Sequence, residues 1–520
     1  MSTRRAGAYL ADGATALVVT AAAAGACATV WWLGSVLEGG AGSGTSSAAV
    51  LATVVALSLG RRTFASRAEF ARSAVALPVV GLLAGVVGLL LVTAPPVGAA
   101  LFVAGMSIPI WLRRFGPRLS RLGRLVALPF TAMLIAPIQP QSGVQPWVTA
   151  ALVLLSGVVA TAWVAVGREV LLLLPDRTPA TTDAIAPAAA PRRPLPANAD
   201  GSPPTRPAGA GGAAARRRLP ASTRMALQMA SALAAAFVVG WIVFPEHAMW
   251  VVLTAFLVCS GNRGRADVLH RSALRILGAL AGTLGAVALT AAAPHASGFA
   301  GVAVIFVALF AGTWLRTYSY AFWALTVTLV LSLLQQLTGT AALTGEVGML
   351  AERMLAIVVG AALSIAASWF ILPVRSIDVL RRRLSELLVA LAAVVDSEPD
   401  DAERRTAALA AFRTSAVRLE ELAPAHRATR LLHRARPVPT GRATLPIDCI
   451  EAAGALPAAL DTHLAQSCST SAAGDNRPHD DHLRTTIRRA RGSLAEPVDL
   501  DRIGAALHTV ARTLASPSSS

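Results

Sequence analysis

The sequence predicts an all-α, polytopic membrane protein. About twelve transmembrane helices are expected as two parallel six-helix repeats, followed by a helical cytoplasmic C-terminal domain. Three observations carry this. Residues 125–137, 147–166, 225–244, 298–315 and 320–334 contain no charge, and a helix of roughly twenty apolar residues spans the hydrocarbon core. Of the 520 residues 54% are hydrophobic and only 14% charged, where soluble chains carry about 25% charged residues. Lastly, "RSAVALPVVGLLAGVVG" at 72–88 returns as "RSALRILGALAGTLG" at 271–285.

Taken in order, apolar runs place six spans in a first half, residues 1–174, near 12–34, 44–60, 74–93, 97–112, 125–138 and 147–172. Residues 175–221 are Pro, Ala, Gly and Arg with few large apolar side chains. Such a stretch buries no core and reads as a disordered linker. A second half, residues 222–373, holds spans near 225–244, 248–260, 273–293, 298–315, 320–337 and 350–372. The repeated cassettes fall on the third span of each half, and "WLR" closes the fourth span at 111–113 and again at 314–316. An even number of spans per half gives both halves one orientation, with a pathway expected between them. In the tail, residues 374–520, Ile377, Leu380, Leu384, Leu387, Leu388 and Leu391 recur at helical spacing. About four helices are expected there.

Charge orients the spans. Arg61, Arg62, Arg67 and Arg72 share one side with Arg113, Arg114, Arg118, Arg121 and Arg124, then Arg263, Arg265, Arg271 and Arg316. The alternate loops, among them "GSVLEGGAGSGTSS", "TAPPVG", "FPEHA" and "TGTAALTGEVGM", contain no arginine. By the positive-inside rule both termini and the linker are cytoplasmic, in a multi-pass protein of the cell membrane. The net charge of +17 then reflects topology and attraction to anionic membrane lipids rather than to nucleic acid.

All 46 basic residues are arginine, so the chain carries neither a P-loop lysine nor a Schiff-base lysine. Cys27, Cys259, Cys449 and Cys468 form no CxxC pair, and "HDDH" at 479–482 lacks helical ligand spacing; neither a metal nor a cofactor is expected. Without a nucleophile elbow or HExxH, the chain is not expected to be an enzyme.

The second half resembles the fusaric acid resistance-like integral membrane transporters, whose relatives include aromatic carboxylic acid exporters and, distantly, plant malate-type anion channels. The resemblance rests on "HAMWVVLTAFLV", on Arg275 three residues before Gly278, on "SYAFWALTVTLVLSLL" and on "ERMLAIVVGAALSIAASWFILP". It covers roughly 225–373, 12–172 less clearly, and the tail hardly at all. Where the family often has Pro-Thr-Arg-Gly this chain has "GNRG", and the first half has no counterpart of Arg275. The resemblance implies efflux of small organic, aromatic acids or related toxic compounds. A passive organic-anion channel and a non-transporting membrane scaffold or sensor are the alternatives, and a homo-oligomer is left open.

Arg353, Arg275 and Arg271 are the candidate substrate-binding residues. Arg353 enters its span from the side whose loops avoid arginine, at a desolvation cost of a few kcal/mol. A guanidinium facing a pathway suits a carboxylate through paired hydrogen bonds; for Arg275 an interface anchor is the other reading. His247 and Glu246, in "FPEHA", are candidates for proton coupling. Gly278, Gly282 and Gly285, their counterparts Gly81, Gly85 and Gly88, and Gly360 are expected to form close helix-packing faces.

Overall fold

The computed structural model describes residues 3–38, 43–62, 64, 66–116, 129–134, 146–173, 219–260, 264–292, 298–337, 347–372, 376–397, 401–434, 445–470, 477–495 and 498–516. Most of the expected linker and of the expected 125–138 span lies outside them, as does the side chain of Glu246. Among the described residues every regular element is helical and none is a strand.

The helices in chain order are α1 (Thr3–Glu38), α2 (Ser43–Gly60), α3 (Arg67–Thr93), α4 (Pro95–Leu112), α5 (129–134), α6 (Pro146–Leu173), α7 (Ala221–Val243), α8 (Ala248–Cys259), α9 (Arg265–Ala292), α10 (Phe299–Leu315), α11 (Tyr320–Leu337) and α12 (Val347–Phe370). The tail adds α13 (Ser376–Val395), α14 (Ala402–Glu420), α15 (Ala423–Arg434), α16 (Pro446–Gly454), α17 (Leu456–Thr470), α18 (Arg477–Ser493) and α19 (Leu500–Ala515). Among the described residues eight helices are long and apolar enough to cross a membrane, and 44–60, 248–259 and 299–315 are shorter apolar helices. The repeated cassettes lie on α3 and α9, and the two "WL" pairs end α4 and α10.

The chain divides into two compact units: Met1–Thr178, Leu219–Asn262 and Arg271–Pro373 form one, and Pro179–Arg218, Arg263–His270 and Val374–Ser520 the other. In the first, α1, α2 and α6 pack mutually, α3 lies on α4 and α6, and α7, α8 and α12 form a second mutual trio. Helices from both ends of this unit interlock, α4 on α7 and α1 on α10. Phe102 and Phe237 meet edge to face with centroids 5.7 Å apart, a geometry in which a positive ring edge faces a negative ring face. Gln228 on α7 donates to the carbonyls of Ile371 (2.9 Å), Leu372 (3.3 Å) and Ser368 (3.4 Å), satisfying acceptors that the end of α12 leaves open.

In the second unit Leu380, Leu384, Leu387, Leu388 and Leu391 of α13 are buried with Ile503, Leu507, Val510 and Leu514 of α19, so the apolar stripe seen in α13 does face a core. The described tail has seven helices, not about four. Pro446 starts α16 at its first turn and Asp499 caps α19 by accepting from the Arg502 amide. These starts interrupt no apolar pattern, because proline and aspartate at a helix start mark a boundary through backbone chemistry alone.

Candidate functional site

Close packing of α9 on α11 builds the site. A Cβ at Gly278 would lie 2.6 Å from the Ala321 carbonyl oxygen, and one at Gly282 2.5 Å from that of Leu325. Only glycine permits this backbone approach. It brings Ala324 and Thr328 of α11 against Arg275 of α9. Arg275 is fully buried, and its Nη1 donates to the Ala324 carbonyl (3.2 Å) and the Thr328 hydroxyl (3.1 Å). The hydroxyl in turn donates to the Ala324 carbonyl at 3.0 Å. Arg275 is thus turned inward, and the interface-anchor reading does not describe it.

Gly360 does the same for α12 on α8, where a Cβ would sit 2.5 Å from the Val251 carbonyl oxygen. Two turns earlier on α12, Arg353 is 6% exposed. Its Nη2 donates to the Thr283 hydroxyl of α9 at 2.8 Å, and its guanidinium carbon lies 5.0 Å from the centroid of a Trp250 ring on α8. Arg275 and Arg353 are close enough for their charges to act on each other. Yet Nε and Nη2 of Arg275 and Nε of Arg353 have no hydrogen-bond partner among the described residues. Nor does either arginine pair with a carboxylate there: Glu352 points its Oε2 to His247 Nδ1 instead, at 3.7 Å. Two buried like charges with unmet donors are costly by themselves. The chemistry they suit is an oxyanion accepting from both forks.

The other expected residues have other places. Arg271 donates to the Ser260 carbonyl at 2.8 Å and lies 6.0 Å from the Tyr320 ring centroid, outside the Arg275–Arg353 pair. His247, in the 3₁₀ turn Pro245–His247, faces Glu352 of α12, a partner more than a hundred residues away in the chain. Gly285 departs from the close face, since its Cβ would meet only the flexible Leu329 side chain at 3.8 Å. In the first half a Cβ on Gly81 would find Leu51 at 4.0 Å and one on Gly88 the Met133 side chain at 3.1 Å, while Gly85 is buried. Neither Gly81 nor Gly88 meets a neighbouring backbone; the close backbone approach of this cassette is at Pro78, whose Cα would lie 3.0 Å from a Cβ on Gly157 of α6, so the two cassettes pack through different positions.

Thr283, Thr328 and Trp250 complete the site and were not singled out in the sequence. Thr283 lies eight residues after Arg275, on nearly the same helical face, a spacing that could have drawn attention to it. No group of His, Cys, Asp or Glu among the described residues could hold a metal. In the "HDDH" stretch Asp480 lies 3.8 Å from His463, and Asp481 accepts from Arg484 at 2.9 Å.

No curated protein matches the chain. Residues 231–367, from within α7 to within α12, match the family model described as fusaric acid resistance protein-like. Arg275, Arg353, Thr283, Thr328 and Trp250 all fall inside this matched segment.

Proposed function

We propose that this chain is a transporter of the cell membrane that exports small organic anions, aromatic carboxylates among them, and binds their carboxylate between Arg275 and Arg353. The observation that carries the reading is the pair itself: two buried guanidiniums, three nitrogen donors without a partner and no acidic partner among the described residues. The family match supports membrane transport as the class of activity; the guanidinium chemistry supports the anion. Trp250 adds an aromatic face. It also borders a cavity of about 60 Å³ with Met249, Leu253, Leu331 and Leu334, room for about two water molecules. An aromatic acid needs more, so on this reading the conformation is a closed one and transport requires α8 and α11 to part. Two parallel six-helix repeats, with cytoplasmic termini, remain the topology that the arginine pattern supports.

The test separates function from structure by using the cost of the unpaired charges. Arg353→Met should abolish benzoate flux in proteoliposomes while leaving thermal stability in detergent unchanged or raised, by up to about 4 kcal/mol. Arg353→Lys keeps a charge without the fork and should recover part of the flux. A methionine variant that melts well below the parent, or that transports benzoate normally, would make Arg353 a structural residue. Flux that needs no proton gradient would favour the passive channel.

A further inference from the structure

A second arginine cluster lies in the same unit, away from the Arg275–Arg353 pair. Arg61 follows the last residue of α2, and its guanidinium carbon stands 4.9 Å from the centroid of a Trp323 ring on α11. Arg316, just past α10, stands 5.4 Å from a Trp323 ring as well. One indole side chain therefore carries two cations, one from each half of the chain. A cation over an indole gains roughly 0.5–1 kcal/mol at exposed sites, but two cations on the same side chain repel. The Arg61 Nε donates to the Leu57 carbonyl of its own helix at 2.9 Å, while its buried Nη1 has no partner among the described residues. No carboxylate pairs with either arginine there, and Arg62 adds a third positive charge nearby.

Trp323 is the fourth residue of α11, and five residues further along the same helix Thr328 holds Arg275. At roughly 1.5 Å per residue that is about 8 Å along the helix axis. One turn before Trp323, at the start of the helix, Tyr320 forms a further ring–guanidinium contact with Arg271. Arg61, Arg316 and Arg271 thus gather at the first turn of α11, ahead of the Arg275 contacts at Ala324 and Thr328.

We propose that Arg61, Arg316 and Trp323 form a second oxyanion site, which captures a carboxylate at the cytoplasmic mouth before it reaches the buried pair. The proposal rests on the anion-transport reading for its role, but the site itself is defined by binding alone. The chemistry it recognises is an oxyanion that accepts from Arg61 Nη1 and from Arg316 together. A free organic carboxylate supplies that group, and so does the phosphate of an anionic lipid.

Equilibrium binding of radiolabelled benzoate to the full chain tests it, in nanodiscs of phosphatidylcholine alone. The parent should show two sites. Arg61→Gln and Arg316→Gln should each weaken one of them roughly tenfold or more, as expected for loss of a charge-assisted hydrogen bond. Arg353→Met should remove the other and leave this one. Arg316 is exposed, so its variant should fold even where the Arg61 variant does not. A parallel measurement, retention of phosphatidylglycerol by mass spectrometry, identifies the source. Loss of lipid retention in Arg61→Gln and Arg316→Gln, with benzoate binding unchanged, assigns the oxyanion to a headgroup. If Arg316→Gln alters neither benzoate binding nor lipid retention, the site does not exist. If benzoate binds here but drives no flux in proteoliposomes of the parent, the transport reading fails and the binding site stands.

Discussion

Arg353 and Arg275 show how single residues are held against their own preferences. Each makes part of its hydrogen-bonding complement, to Thr283 in one case and to Ala324 and Thr328 in the other. Nε and Nη2 of Arg275 and Nε of Arg353 have no hydrogen-bond partner among the described residues, which a purely structural role would not favour. The neighbouring glycines are held just as specifically, but for packing. Gly282→Ala should cost about 1–3 kcal/mol, because its Cβ would press on the Leu325 carbonyl, a backbone atom that cannot rotate away. Gly285→Ala should be tolerated, since Leu329 can shift. Thermal melts of the two variants in detergent read the contrast, and equal losses would contradict it. His426 in the tail makes a different demand. Burial pushes its imidazole below the usual value near 6.5, with Asp267 opposing. A lowered folded value means that the unfolded chain binds the proton more readily. The stability contributed by neutral His426 is therefore present above about pH 6.5 and is lost as pH falls through the folded value. His426→Gln should melt with less acid sensitivity between pH 7.5 and 5.5 than the parent; an unchanged slope would place the titration elsewhere.

At the scale of elements, the informative feature is where helices begin and how near they approach. α9 and α11 meet at Gly278 and Gly282, α12 and α8 at Gly360 and Val251. These two contacts position the arginines, because each sets a guanidinium against a side chain of the opposing helix. In the first half, α1 and α6 meet differently: Gly25 receives the Trp163 ring, whose Nε1 donates to Thr29 at 3.0 Å. The two halves therefore pack with different residues. The orientation that the arginine pattern predicts is open to direct measurement. A reporter inserted after Gly298, before α10, should read external, and one after Ser319, before α11, cytoplasmic. A reporter after Ser397 should also read cytoplasmic. Reversal at Ser319 or Gly298 alone would break the alternation on which the twelve-span arrangement depends.

For the whole molecule, the two compact units invite a division of labour. Arg275, Arg353 and the Arg61 cluster all lie in the first unit, and the contacts described for them are made within it. A chain ended after Ser397, which keeps α13, should retain both benzoate sites if the protein is a transporter. Complete loss of binding in a truncated protein that elutes as a single species would point instead to the scaffold reading. The tail's core is its own, built on α13 and α19, and its partner surface is a separate question from the anion sites.

The sequence by itself determined the membrane embedding, the helix order and the two arginines to watch. Apolar length and arginine distribution are local quantities that each span or loop carries independently of its neighbours. The apolar stripe of α13 was legible for the same reason, since a 3.6-residue period needs no tertiary information. Thr283, Thr328 and Trp250 were not legible, because ordinary threonines and a tryptophan become ligands or ring platforms only when a second helix faces them. The same holds for His247, whose Nδ1 lies 3.7 Å from Oε2 of Glu352 on α12. Gly285 shared its motif with Gly282 but not its contact, since α9 and α11 touch backbone to backbone at one and only side chain to backbone at the other. Only the tertiary structure decided that Arg275 turns inward and that Arg61 meets Trp323 from the far half of the chain. The reason is physical: a side chain's hydrogen bonds and burial depend on interhelical distance, which no single segment encodes.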